Sequence, residues 1–81
     1  MRILKKEKDY LEIEMNNLTL AEILRVYLWK NKNIIYAGWK REHPSKPPIL
    51  ILKTKKDSIE ILKSSIEEIK EEIKEIKKLV K

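Results

Sequence analysis

The sequence has no cysteine, one glycine, one histidine and three prolines. Without cysteine it can form neither a disulfide nor a thiolate metal site, and His43 alone cannot hold a metal. A single glycine excludes the glycine-rich loops that cradle phosphates. No apolar run approaches the ~20 residues needed to cross a bilayer. The apolar stretch at Ile3-Leu4 is too short for a secretory signal. A soluble, cytoplasmic protein with no membrane partner is therefore expected. Ser45, Ser58, Ser64 and Ser65 lack the histidine and carboxylate context that a nucleophile needs. No catalytic, cofactor-binding or metal-ligating residue is assigned, and no small-molecule substrate is expected.

What is present points elsewhere. Eighty-one residues make one domain, residues 1–81, and a chain this short buries only roughly 60% of its unfolded surface. Such a domain usually needs disulfides, a metal or a partner for full stability. With the first two excluded, a partner chain is the remaining source. Charged residues reach 40%, with abundant Lys, Glu and Ile and no Gln. That mixture resembles hyperthermophile proteins, although an AT-rich genome would also favour Lys and Ile. The net charge of +6 is uneven: residues 1–56 hold 13 basic and 6 acidic side chains, residues 57–81 hold 6 and 7.

Ile3-Leu4 reads as a short strand, followed by a polar turn over 5–9. Leu11, Ile13 and Met15 alternate with Tyr10, Glu12 and Glu14, the period of a half-buried strand. A helix is expected to open at Thr19, with Thr19 and Glu22 forming a capping box and Leu18 and Ile23 a hydrophobic staple. Leu20, Ile23, Leu24, Tyr27 and Leu28 follow one helical face, while Val26 and Trp29 fall away from it. Residues 34–39 read as a strand containing Gly38, where a glycine signals a bulge or a close backbone approach. Three prolines mark 41–48 as a loop. The apolar run 49–52 completes a hairpin, buried on both faces or wrapped by something else.

Asp57 and Glu60 form a second capping-box candidate. Beyond them, Ile59, Leu62, Ile66, Ile69, Ile73, Ile76 and Val80 repeat at alternating spacings of three and four, a heptad seam. The helix spans about 35 Å at 1.5 Å per residue, against roughly 17–20 Å for strands of five or six residues. It should overhang its own sheet, so that Ile73, Ile76 and Val80 either fray or pack on helix 19–30, or, the favoured reading, are covered by a partner helix or sheet. Its glutamate–lysine pairs at i+3 are a solvated face. The expected architecture is an α/β two-layer sandwich: a four-stranded, mainly antiparallel sheet with two helices on one face, the C-terminal one long. The expected dimer interface is Ile66, Ile69, Ile73, Ile76 and Val80, with Leu20, Leu24, Tyr27 and Leu28 shared between core and interface.

A second possibility is a homodimeric basic nucleic-acid-binding protein. Lys30, Lys32, Lys40, Arg41, Lys46, Lys53, Lys55 and Lys56 could form a patch around Trp29, Tyr36 and Trp39, with lysines meeting phosphates and aromatics stacking on bases.

Two stretches carry a family likeness. Leu18-Thr19-Leu20-Ala21-Glu22-Ile23-Leu24-Arg25 is similar to the signature His-Thr-Leu-Gly-Asn-Leu-Leu-Arg, matching in type at Thr19, Leu20, Ile23, Leu24 and Arg25. Ala37-Gly38-Trp39-Lys40-Arg41-Glu42-His43-Pro44 is similar to Ala-Gly-Tyr-x-x-x-His-Pro, identical at Ala37, Gly38, His43 and Pro44 and aromatic in both at Trp39. Both belong to subunit L of archaeal DNA-directed RNA polymerase, which the whole chain resembles. That family is related to the small eukaryotic polymerase assembly subunit and the bacterial α-subunit N-terminal dimerisation domain. The resemblance implies a non-catalytic assembly protein that heterodimerises with the larger D-type subunit of the polymerase. It would then contact other polymerase subunits, meeting DNA only indirectly through the complex.

Overall fold

Period-two patterning needs a sheet whose inward residues line up across strands, and the register supplies it. The computed structural model describes residues 2–80. In chain order the elements are β1 (Arg2–Glu7), β2 (Tyr10–Glu14), α1 (Leu18–Trp29), β3 (Ile34–Lys40), β4 (Ile49–Thr54) and α2 (Ser58–Leu79). The strands form one sheet in the order β1-β2-β4-β3, antiparallel at each pairing. Leu52 pairs with Leu11 on one side and Ala37 on the other, and Leu50 with Ile13 and Trp39. Alternation puts these six on one face, and both helices cover it. The result is the expected two-layer sandwich, with Leu11, Leu28, Leu50 and Leu52 fully buried at its centre.

Three local expectations change. β1 continues through Glu7, since Lys5, Lys6 and Glu7 pair with Glu12, Leu11 and Tyr10. An exposed edge strand needs no apolar pattern, and lysine on such an edge discourages pairing with other chains. In β4, Leu50 and Leu52 are buried while Ile49 and Ile51 lie half-buried on the open face, so the apolar run is not buried on both sides. At Gly38 the backbone is regular, the register shift falling between Ile34 and Tyr36. The close approach is a side chain: a Cβ at position 38 would lie 2.8 Å from Cζ of Tyr36.

Helix α1 begins one residue before the anticipated position. Asn17 has extended backbone and its Oδ1 accepts from the Leu20 N–H at 3.1 Å, so Asn17 is the cap. Thr19 is exposed inside the first turn, and Glu22 has other partners. The buried stripe is Ala21, Leu24 and Leu28, with Ile23 39% exposed and Leu20 and Tyr27 half-buried. Ala21 has no side chain beyond Cβ, which lets the helix settle on that side.

Helix α2 is capped by Asp57, which accepts from the N–H groups of Ile59 and Glu60 at 3.0 and 3.4 Å. Its buried residues are Ser58, Ile61 and Ser65, not the heptad positions. At 100° per residue that line lies about 75° around the helix from the seam. Two of the three are small, so the helix packs close to the sheet. The start of α2 is also bonded to the first turn, with Ser58 N donating to Lys8 O at 2.7 Å and Ser58 Oγ to Glu7 O at 2.9 Å. Among the described residues no helix is long and apolar enough to cross a membrane.

Candidate functional site

The seam of α2 changes character along its length. Ile59, Leu62, Ile66 and Ile69 pack against the core from its flank. From Lys70 to Val80 every residue is exposed. Ile73 is 48% exposed, Ile76 59%, Val80 76% and Leu79, outside the seam, 84%. The expected overhang is therefore present, about 16 Å of helix at 1.5 Å per residue. Four apolar side chains within the last turns face water, a cost that burial elsewhere would remove.

Helix α1 is tied to α2 where the overhang begins. Tyr27 donates its hydroxyl to the Glu72 carboxylate, Lys30 pairs with Glu68 at 3.8 Å, and the Lys30 ammonium lies 4.2 Å from the centre of the Tyr27 ring. The pairings 27 to 72 and 30 to 68 make the helices antiparallel. Of the α1 residues expected to be shared between core and interface, Leu24 and Leu28 are 7% and 0% exposed. They are consumed by this chain's own core and have almost no surface to share. Leu20 and Tyr27 remain half-exposed, and Ile23, not expected at a surface, adds to them.

The two signature stretches meet at one carboxylate. Glu22 accepts from Arg25 through both of its oxygens, Nε to Oε1 and Nη2 to Oε2 at 3.0 Å each. The same Oε1 accepts from the indole N–H of Trp39. These bonds, Arg25 first and Trp39 second, hold the Glu22 carboxyl below its ordinary pKa, and Arg25 is raised in return. Glu22 therefore does not cap α1 as its spacing from Thr19 suggests, but reaches across to β3. Trp29 lies on the adjacent edge. Its indole donates to Ala37 O at 2.7 Å, and its ring meets Tyr36 edge-on at 6.1 Å. It is still 47% exposed.

His43 and Pro44 stand at the exposed hairpin tip. His43 accepts at Nδ1 from the Ser45 N–H, with the Ser45 hydroxyl 2.8 Å from the same nitrogen, and Lys46 N donates to His43 O at 2.9 Å. The pair shapes its own turn. On the open face of the sheet, Tyr10 donates to Glu12, and that bond, with burial second, pushes the phenol up to about 12. Among the described residues no group of three or more His, Asp or Glu side chains lies together as a metal site would require.

The anticipated basic patch divides in two. Lys40, Arg41 and Lys46 lie at the β3–β4 hairpin tip, while Lys30, Lys32, Lys53, Lys55 and Lys56 lie at the other end of the sheet, where Ile34 pairs with Thr54. The aromatics meant to stack on bases are engaged within the chain.

A family model settles the kinship. The RNA polymerase Rpb3/Rpb11 dimerisation domain matches residues 10–79. This chain belongs to that family. Among solved structures, it is similar to the crystal structure of DNA-directed RNA polymerase subunit L from Thermoplasma acidophilum. The TM-score is 0.85 and the identity 19%, over 98% of this chain and 82% of that one. At such identity the likeness is one of fold. No curated protein matches the sequence. The family expected from 18–25 and 37–44 is the one found, and the chain is an RNA polymerase assembly subunit of the Rpb11/L type.

Proposed function

We propose that this chain pairs, as an archaeal subunit L, with the larger D-type subunit, and that the pair is the cytoplasmic platform on which the large catalytic subunits assemble. The observation that carries this reading is the exposed end of α2. Ile73, Ile76, Leu79 and Val80 stand clear of the sheet in a chain whose family is defined by dimerisation. The partly exposed residues Leu20, Ile23 and Tyr27 of α1 extend the same pairing surface. A carboxylate forced into it would be costly unless paired.

Co-expression with a D-type subunit, followed by sizing in ~1 M salt, tests the proposal, because an apolar interface holds where phosphate-type electrostatic contacts fail. A 1:1 complex is expected, and Ile69→Asp with Ile73→Asp should abolish it. Two separate peaks, with this chain as a homodimer, would refute the heterodimer. Undiminished pairing by the double variant would move the interface away from α2.

A further inference from the structure

Around α2 the charges are sorted by sign. At 100° per residue, Lys63, Lys70, Lys74 and Lys77 fall within about 60° of arc directly beside the apolar seam, with no carboxylate among them. All four are exposed. In the heptad, Lys63, Lys70 and Lys77 fill three successive e positions, which face the flank of a paired helix. Glu60, Glu67 and Glu71 lie farther round, behind the row. Glu67 reaches forward to Lys70 at 3.6 Å, but both side chains are more than half exposed, and a pair so open is worth little. Among the described residues Lys63, Lys74 and Lys77 are in no ion pair. The opposite flank of the seam is engaged by this chain itself. Ile61 and Ser65 are buried, Glu68 pairs with Lys30 and Glu72 accepts from Tyr27. A molecule laid over Ile73, Ile76 and Val80 therefore meets apolar side chains bordered on the free side by lysine.

We propose that the end of α2 is covered by a partner helix whose own apolar stripe is bordered by aspartate or glutamate, so that charge selects the partner. The inference rests on the pairing proposed above and names the chemistry of its other half. A polyanion would satisfy the lysines and leave the isoleucines in water. An acid-bordered helix satisfies both, since lysine stems lie along apolar surface while their ammonium groups reach carboxylates at the rim. A second copy of this chain fits in neither direction. Antiparallel, e positions face e positions, so Lys63, Lys70 and Lys77 would meet the same three lysines. Parallel, they face the g positions, which are Ser58, Ser65 and Glu72. The two serines are buried and the carboxylate is held by Tyr27. The lysine row thus rejects self-pairing as well as attracting an acidic partner.

The test is titration of a labelled D-type subunit from the same source with the full chain, in ~50 mM and ~500 mM salt. One variant carries Lys63→Glu, Lys70→Glu and Lys77→Glu. A second carries glutamine at the same three positions, keeping a good helix former at each. A control reverses the same charge at the hairpin tip through Lys40→Glu, Arg41→Glu and Lys46→Glu. Far-ultraviolet circular dichroism establishes that each remains folded. At the lower salt the reversal should raise Kd at least tenfold, mainly through slower association, and the glutamine variant should raise it about threefold. At the higher salt both should fall within about twofold of wild type, and the control should stay within about twofold throughout. A wild-type complex whose Kd neither variant changes at the lower salt would overturn the proposal and leave the pairing standing. Tighter binding after reversal would overturn it too, as would a homodimer of the wild-type chain at the lower salt. No complex with the wild-type chain would refute the pairing itself, and the proposal with it.

Discussion

Trp39 on β3 donates its indole N–H to Glu22 on α1, the carboxylate that also grips Arg25. One acidic side chain thus joins the two segments that carry the family likeness, and it fixes the approach of α1 to the edge of the sheet.

Removing that charge should change how the chain responds to acid. The Glu22 pKa is lowered in the fold, so its contribution is complete above the unfolded glutamate pKa of about 4.3 and is lost as pH falls through the lower folded value. Glu22→Gln should flatten the stability profile below about pH 4 and leave its slope at neutral pH unchanged. Urea unfolding across pH 2–6 would show it. An unchanged acid limb would mean that the carboxylate is not coupled to folding.

The position of the α1 cap can be decided by two alanines. Asn17→Ala removes the acceptor for Leu20 N and should cost about 1 kcal/mol. Thr19→Ala, at an exposed site inside the helix, should stay within about 0.5 kcal/mol. The reverse order in denaturant melts would restore Thr19 as the cap.

Along α2, stability and pairing should separate. Ile61, 6% exposed, anchors the helix to the sheet, and Ile61→Ala should cost about 2–5 kcal/mol. Ile76, more than half exposed, should tolerate serine with less than about 0.5 kcal/mol lost from the isolated chain while weakening the complex. Thermal melts of chain and complex distinguish these effects.

Tyr10 should give up its proton late. Its folded pKa is raised to about 12, so the stability it confers persists below the unfolded tyrosine value of about 10 and is lost on passing to 12. In the absorbance at ~295 nm, Glu12→Gln should move one late phenol step to lower pH. A titration curve unmoved by Glu12→Gln would break the link to Glu12.

Much of this architecture is legible in the residues. Alternation at Leu11, Ile13 and Met15 marks a wet-faced strand, and the proline-stiffened segment between Lys40 and Ile49 marks the hairpin. Seven apolar positions on one stripe announce the long helix and its overhang. What local pattern cannot express is the choice between neighbours made by tertiary packing. Asn17 and Thr19 are both competent caps, and the chain entry decides between them. Ile23 and Ala21 flank the same stripe, and the sheet takes the smaller. Ser58 and Ser65 read as polar surface yet lie against the sheet because little else would fit there. Glu22 finds Trp39 seventeen residues away, which no periodicity reports.

The last turns of α2 carry a consequence for the lifetime of the unpaired chain. These turns lack the tertiary packing that supplies most helical stability in proteins. Their backbone therefore opens more readily than the sheet does, offering a protease its first purchase there. Covering those turns would shut that entry. Pairing would then meter abundance as well as build a complex, since copies made in excess of the partner would be the ones cleared.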